Sequence, residues 1–396
     1  VCTGPIRLTV SSWLFWPSSP RRADGSPRRS LGTGNRARSD TIEGSAFRDV
    51  RRRSSMEVIG SLTSARLRQD TVLTIGAFDG VHRGHQALVR DVVARARDTG
   101  RLAALITFHP HPAVVLAPDS DLRYLTTPAE KAALLDAMGL DLLVLLPFDR
   151  RMADTPAHDF MAAVSRHLQV RELWIGADFA LGRSREGDRA RLSEMGKELG
   201  FEVRVAQPVT IKGRVVSSSR IRDSLGQGRV EEATRLLGRF PRVSGRAERG
   251  TLPDWVPGLA MACLEVRQGR AMPPEGVYAA FARLGGQRHL AVANVGSRPD
   301  SDLGLLTVGV RLVGLGSDQA SYDRIYGCDM VIEFVSRVRR AQRFRGAEEA
   351  AVGVERDVKD ARRILESMPR ETSGSEGLSA PSVSLASECP YRYEEV

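Results

Sequence analysis

The chain has 396 residues, 42% hydrophobic and 27% charged, a composition of globular proteins at a length that predicts two domains and tails rather than one core. No apolar run approaches the ~20 residues that would cross a bilayer, and Cys2, Cys263, Cys328 and Cys389 are too dispersed for a zinc site or a disulfide framework, as in a reducing cytoplasm. The net charge of +10 is concentrated in residues 1–55, which hold 11 Arg, no Lys and 4 acidic residues, against 47 basic and 44 acidic residues in the remainder, so the folded part has no field demanding nucleic acid.

Residues 1–55 are rich in Arg, Ser, Gly and Pro without a sustained period, and such a segment is expected to be disordered. A transit peptide would share this composition. The other reading is upstream sequence preceding a start at Met56, since the chain opens on Val1 and patterned sequence begins just after Met56. From Thr71, strand-like runs at 71–78, 101–108, 142–148, 172–179 and 201–206 alternate with amphipathic helical stretches at 85–100, 128–139, 157–168 and 189–200, several closed by Gly. The longest apolar run, Leu140–Phe148, is broken by Asp141 and Pro147 and reads as a buried strand. This α/β alternation predicts a Rossmann-like domain over 56–240, with ligands at the carboxyl ends of its parallel strands. After about Gly238 the runs GVYAAFARL, HLAVANVG, LLTVGVRLVGL and DMVIEFV, separated by turns, predict a small β-barrel or sandwich over 241–366, closed by a helix at about 346–366. Residues 367–396, rich in Ser, Glu and Pro, read as a disordered tail.

The densest chemistry lies in Gly76-Ala77-Phe78-Asp79-Gly80-Val81-His82-Arg83-Gly84-His85-Gln86, which leaves a strand, turns through glycines and enters a helix. The unpaired N–H groups of a helix start attract anions. Gly80 and Gly84 let a phosphate approach the backbone, and His82 and His85, three apart, can face one ligand. In isolation a His-x-x-His pair is more simply two histidines near a cap, or a metal pair; the strand–Gly–helix setting favours phosphate. Thr107-Phe108-His109-Pro110-His111-Pro112 could alone be a rigid turn. Ser217-Ser218-Ser219-Arg220-Ile221-Arg222 follows an expected Lys212-Gly213 hairpin and could alone be a capped helix start, or a polyphosphate site built of hydroxyls, N–H groups and Arg222.

These segments, in this order and with Gly176-Ala177-Asp178-Phe179-Ala180-Leu181-Gly182…Arg185-x-Gly187, resemble the bacterial bifunctional riboflavin kinase/FAD synthetase family of the nucleotidylyltransferase superfamily. Leu181 stands where that family has Phe. The resemblance implies an FMN adenylyltransferase that joins FMN to the AMP part of ATP, giving FAD and pyrophosphate, with Mg²⁺ accompanying ATP. It implies catalytic roles for His82, His85 and Arg222. It puts ATP against Gly76, Phe78, Asp79, Gly80, Gly84, Ser217, Ser218 and Ser219, and flavin near His109, Pro110, Asp178, Phe179 and Arg185. It assigns no metal ligand and leaves the oligomeric state open. Partners are then ATP and FMN, with riboflavin a further possibility, and neither nucleic acid nor membrane.

The C-terminal module resembles the family's riboflavin kinase in patches: Gly276-Val277-Tyr278-Ala279, a loop Ala293-Asn294-Val295-Gly296-Ser297-Arg298-Pro299, Tyr326-Gly327, and Arg339 through Phe344. Its Pro-Thr-Ala-Asn segment is replaced by Pro257-Gly258-Leu259-Ala260, and its catalytic Glu by Gly309, which can neither take a proton nor bind a metal. A degenerate kinase module is therefore expected. Full bifunctionality through substitute residues, a flavin- or nucleotide-binding module without turnover, and an Arg-armed nucleic-acid binder are the alternatives.

Overall fold

The structure, a computed structural model, describes residues 56–250, 260–297, 306–315, 319–342 and 344–368. The expectations for residues 1–55, for Pro257-Gly258-Leu259, for Arg298-Pro299 and for 369–396 lie outside the described residues.

The first half alternates strands and helices: β1 (Glu57–Ile59), β2 (Thr71–Ile75), α1 (Arg83–Asp98), β3 (Leu102–His109), α2 (Pro112–Leu116), α3 (Pro128–Ala137), β4 (Leu142–Pro147), α4 (Arg150–Ala153), α5 (Ala157–Leu168), β5 (Val170–Ile175), α6 (Arg189–Leu199) and β6 (Glu202–Val205). Six parallel strands form one sheet in the order β1-β4-β3-β2-β5-β6. Every residue of β2 is buried, as expected of a strand covered on both faces. On one face Leu88, Val89, Val92, Val93 and Ala96 of α1 pack with Leu134 and Leu135 of α3. On the other, Phe160, Met161, Val164 and Leu168 of α5 pack with Leu192 and Met195 of α6. Thr127 and Glu130 close a reciprocal capping box at the start of α3, and left-handed Gly200 ends α6. The chain steps outward from β2 through β3 to β4, then crosses back to β5 and β6. The switch point therefore lies between β2 and β5, where doubly wound sheets open a crevice at their carboxyl ends.

A hairpin, β7 (Thr210–Ile211) and β8 (Arg214–Val215), turns on Lys212 (φ 52°) and Gly213 (φ 70°), the two left-handed residues of a type I′ turn. Helices α7 (Ser218–Gly226) and α8 (Val230–Leu237) follow and pack on each other through Ile221, Leu225, Ala233 and Leu236.

The second half comprises β9 (Arg242–Arg246), β10 (Glu248–Arg249), β11 (Ala262–Glu265), β12 (Gly276–Leu284), β13 (Gln287–Ser297), β14 (Leu306–Leu312), α9 (Gln319–Asp323), β15 (Asp329–Arg340) and α10 (Ala347–Glu366). Its seven-stranded antiparallel sheet, β10-β11-β14-β13-β12-β15-β9, curls into a near-barrel. Along β12 the two-residue period divides the faces: Tyr278, Ala280 and Ala282 enter the interior, while Val277, Ala279 and Phe281 lie under Ala361 and Leu365 of α10.

Four expectations shift. Residues 293–297, read as a loop, are the end of β13. Thr107, Phe108 and His109 belong to β3, and His111 caps α2, so the His-Pro-His-Pro run is a strand end followed by a helix start. Gly176–Phe179 lie beyond the end of β5. Ser367 caps α10 and Met368 still packs on the sheet, two residues into the expected tail.

Candidate active site

The segment Gly76–His82 crosses the carboxyl end of β2 in a conformation that few sequences adopt. Phe78, Gly80 and Val81 all have positive φ (46°, 82° and 38°). A Cβ on Gly80 would lie 2.8 Å from Leu125 Cδ1, so glycine is required there by conformation and by space. His82 is the N-cap of α1: its Nδ1 accepts the His85 N–H at 3.3 Å. A neutral His82 ring with that acceptor carries its proton on Nε2. The His82 and His85 rings stack 3.6 Å apart at 16°, with Phe78 against His85 at 4.8 Å.

Both imidazoles are held neutral. Burial, then the Arg239 charge, pushes His82 down to about 4. Burial, His82, Lys131 and Arg239 hold His85 well below its ordinary value, and its buried Nδ1 has no partner among the described residues. These rings are hydrogen-bonding groups at pH 7, not cations.

Asp79 is the hub of the site. Its buried carboxylate accepts from Leu125 N, Thr126 N and Thr126 Oγ1 (3.1–3.3 Å) and from Arg222 Nη2 (2.5 Å). Arg222 also donates through Nε to the Arg123 carbonyl (2.7 Å), while Ser218 Oγ donates to the Asp79 carbonyl (2.8 Å). Ser217 caps α7 by accepting from Arg220 N, and Ser219 is exposed on its first turn. Behind the loop, Lys131 Nζ donates to the Ala77 carbonyl (2.6 Å) and Thr107 Oγ1 (3.1 Å), and burial lowers its pKa to about 8. Arg239 donates to the carbonyls of Gly80 (2.7 Å) and Val81 (3.1 Å). His111, lowered to about 4 chiefly by burial, feels the charges of Asp79, Arg222 and Lys131, and its backbone N–H donates to Tyr124 Oη. His109, also lowered by burial and then Lys131, ends β3 and precedes a cis peptide to Pro110; its ring lies 5.9 Å from Tyr124.

The structure thus brings Gly76, Phe78, Asp79, Gly80, His82, Gly84, His85, Ser217, Ser218 and Arg222 into one connected site. Asp178, Phe179 and Arg185 sit apart, in the loop after the neighbouring strand β5. There Arg185 Nη2 donates to the Asp178 carbonyl (2.9 Å), Leu181 and Gly187 pair through two backbone bonds, and Gly182 packs too closely on Ala157 for a side chain. Leu181 and Phe179 pack into the apolar layer of α5. No hydrogen bond joins this loop to the histidine loop among the described residues.

Sequence reasoning passed over Thr126, Lys131, Tyr124 and Arg239. Lys131 carried a signal, being one of only four Lys beside 54 Arg. The others are ordinary residues in unremarkable loops, placed here by tertiary pairing alone.

In the second sheet, Gly309 pairs with Cys263 and Asn294, and a Cβ there would collide with the methyl group of Met261. An apolar side chain fills the place where the resemblance expects a carboxylate.

Comparison with known proteins places these halves. The family model described as FAD synthetase matches residues 64–220, and the one described as riboflavin kinase matches 237–365. The bifunctional riboflavin kinase/FMN adenylyltransferase of Escherichia coli K12 is 32% identical over 296 residues, covering 74% of this chain and 92% of its own. That of Haemophilus influenzae is 30% identical over 315 residues, 79% of this chain and all of its own. A crystal structure described as a macrolide-efflux protein from Streptococcus pneumoniae matches 78% of this chain and 99% of its own, with a TM-score of 0.69 at 26% identity. Among the described residues no helix is long and apolar enough to cross a membrane.

Proposed function

The chain belongs to the bifunctional riboflavin kinase/FMN adenylyltransferase family, and from that premise we propose how its residues carry out adenylyl transfer. It is an FAD synthetase: an FMN phosphate oxygen attacks the α-phosphorus of ATP, the bond to the β-phosphate oxygen breaks, and pyrophosphate leaves as FAD forms.

The observation that carries the assignment of roles is the stacked, neutral His82–His85 pair at the start of α1. MgATP, entering as the complex, lays its phosphates against the N–H groups of Arg83 and Gly84 at this helix start, with the His82 Nε2–H and the His85 ring as further donors. Such donors act where charge builds on the phosphoryl oxygens, and need no reorganisation because cap and stack already orient them. Mg²⁺ is taken to enter with the nucleotide as part of the substrate. Arg222 offers its remaining N–H groups, with Ser219, to the departing pyrophosphate. Asp79 acts indirectly, fixing Arg222 and the 125–126 segment. The flavin is assigned to the β5 loop with Asp178, Phe179 and Arg185, and to His109 and Pro110. The division into an adenylyltransferase domain to about residue 240 and a kinase-like domain beyond it is likewise our reading. A cytoplasmic setting is likewise our reading, from the dispersed cysteines of the sequence.

The test is purified protein with MgATP and FMN, with flavins separated by chromatography: FAD and pyrophosphate should appear in equal amounts, and failure to form FAD would refute the assignment. With riboflavin in place of FMN, little or no FMN should form. The specific support is Gly309, which supplies no base for the riboflavin hydroxyl, with the Met261 methyl group lying where a side chain at that position would begin. Robust phosphorylation of riboflavin would refute this second reading and leave the first standing.

A further inference from the structure

Between α2 and α3 the chain passes through residues 122–127, a bridge at Tyr124 followed by bends at Leu125 and Thr126, and this strap holds much of the site. Its Arg123 carbonyl accepts from Arg222, its Leu125 and Thr126 amides donate to the Asp79 carboxylate, its Thr126 hydroxyl accepts from the Gly80 N–H, and its Tyr124 hydroxyl accepts from the His111 N–H. The strap is itself gripped from the second sheet. Tyr124 and Arg270 form a parallel β-bridge, with Tyr124 N donating to the Gly269 carbonyl (2.6 Å) and Ala271 N to the Tyr124 carbonyl (2.9 Å). The Arg270 guanidinium then forks onto Glu130 (2.7 and 3.2 Å), with both side chains buried, and also donates to the Arg242 carbonyl. Glu130 is the second member of the capping box of α3, and its neighbour Lys131 reaches the Ala77 carbonyl.

We infer that Arg270, in the turn between β11 and β12, is a positioning residue for adenylyl transfer, and that the kinase-like sheet is an integral brace of the other half's active site. This rests on the adenylyltransferase reading and deepens it. The geometry favours a positional role because the grip is two-pronged and planar. A guanidinium fork fixes the direction of Glu130 as well as its charge, which a point charge would not. Releasing it frees the strap to shift relative to Asp79 and Arg222, and displacements of ~1 Å at a reacting centre cost up to about a hundredfold in rate.

The experiment uses the full chain with three substitutions: R270Q, R270K and, as a control, R339Q. Arg339 forks onto Asp357 at 2.8 Å on both arms, in the same half but without a bond to the strap. Melting temperature, kcat and both KM values for FAD formation are measured well below the melting range. R270Q should lower kcat about tenfold with KM for FMN within about twofold, R270K should recover part of the loss, and R339Q should lose thermal stability but keep its kcat. If R270Q fails to fold, R270K decides, because it keeps the buried charge and loses only the fork; a wild-type kcat there overturns the proposal. Equal kcat values in R270Q and R339Q overturn it too. A wild-type protein that makes no FAD would instead refute the underlying activity, so the two failures are distinct.

Discussion

Lowering the pH from 7 to 4 should cost this protein about 3 kcal/mol of stability through His82 alone. The ring is 5% exposed and its pKa falls from an ordinary 6.5 to about 4 in the folded chain. Below pH 6.5 the unfolded chain takes up a proton that the native state refuses, so stability falls as pH falls, starting near 6.5 and levelling off below about 4. A difference of about 2.5 units, at 1.36 kcal/mol each, gives about 3 kcal/mol. The cause is burial first and the Arg239 charge second, and protonating Nδ1 also takes away the acceptor of the His85 N–H that caps α1. His82→Asn isolates the effect, since asparagine caps well but does not titrate. Urea unfolding by circular dichroism, at half-unit pH steps, should show the two proteins' stabilities converging by about 3 kcal/mol between pH 7 and 4 relative to their neutral-pH offset. Parallel curves would refute the burial and capping argument.

His85→Ala should leave the melting temperature nearly unchanged while cutting FAD formation about a hundred- to a thousandfold, the usual worth of one donor to a developing oxyanion; a folded variant within a few-fold of wild type rejects the phosphate role. The rate of FAD formation at limiting substrate should decline above pH 8, as Lys131 loses its proton and the Ala77 carbonyl its cation. Lys131→Arg, charged throughout, should move that alkaline limb upward, and an unmoved limb would assign it elsewhere.

The sequence revealed what is local. Period and capping signals put α5 at 157–168 and β12 at 276–284, because amphipathic spacing and alternation are visible in any window of that length. The Gly-rich histidine turn was legible for the same reason: its strained φ values and its cap lie within ten residues. Edge strand β1 was not, since three residues carry no period and its pairing with β4 is a long-range event. Nor was the role of Asp79. A carboxylate in a phosphate loop reads as a ligand contact, and only its four donors, from segments 46 to 143 residues away, show it acting as a hub. Lys131, whose rarity as a Lys in an Arg-rich chain was its one signal, was passed over for a related reason: on a helix of that composition it would be expected to point to solvent.

The Asp79 hub also bears on how the molecule comes into being. Joining residue 79 to 125, 126 and 222, and residue 80 to 239, closes loops of 46, 47, 143 and 159 residues. Each closure costs chain entropy that only the finished packing returns. Helices and neighbouring strand pairs have no such requirement and form early. Catalytic competence should therefore be the last property acquired on refolding: far-ultraviolet dichroism would recover in a first phase, and FAD synthesis only in a later one.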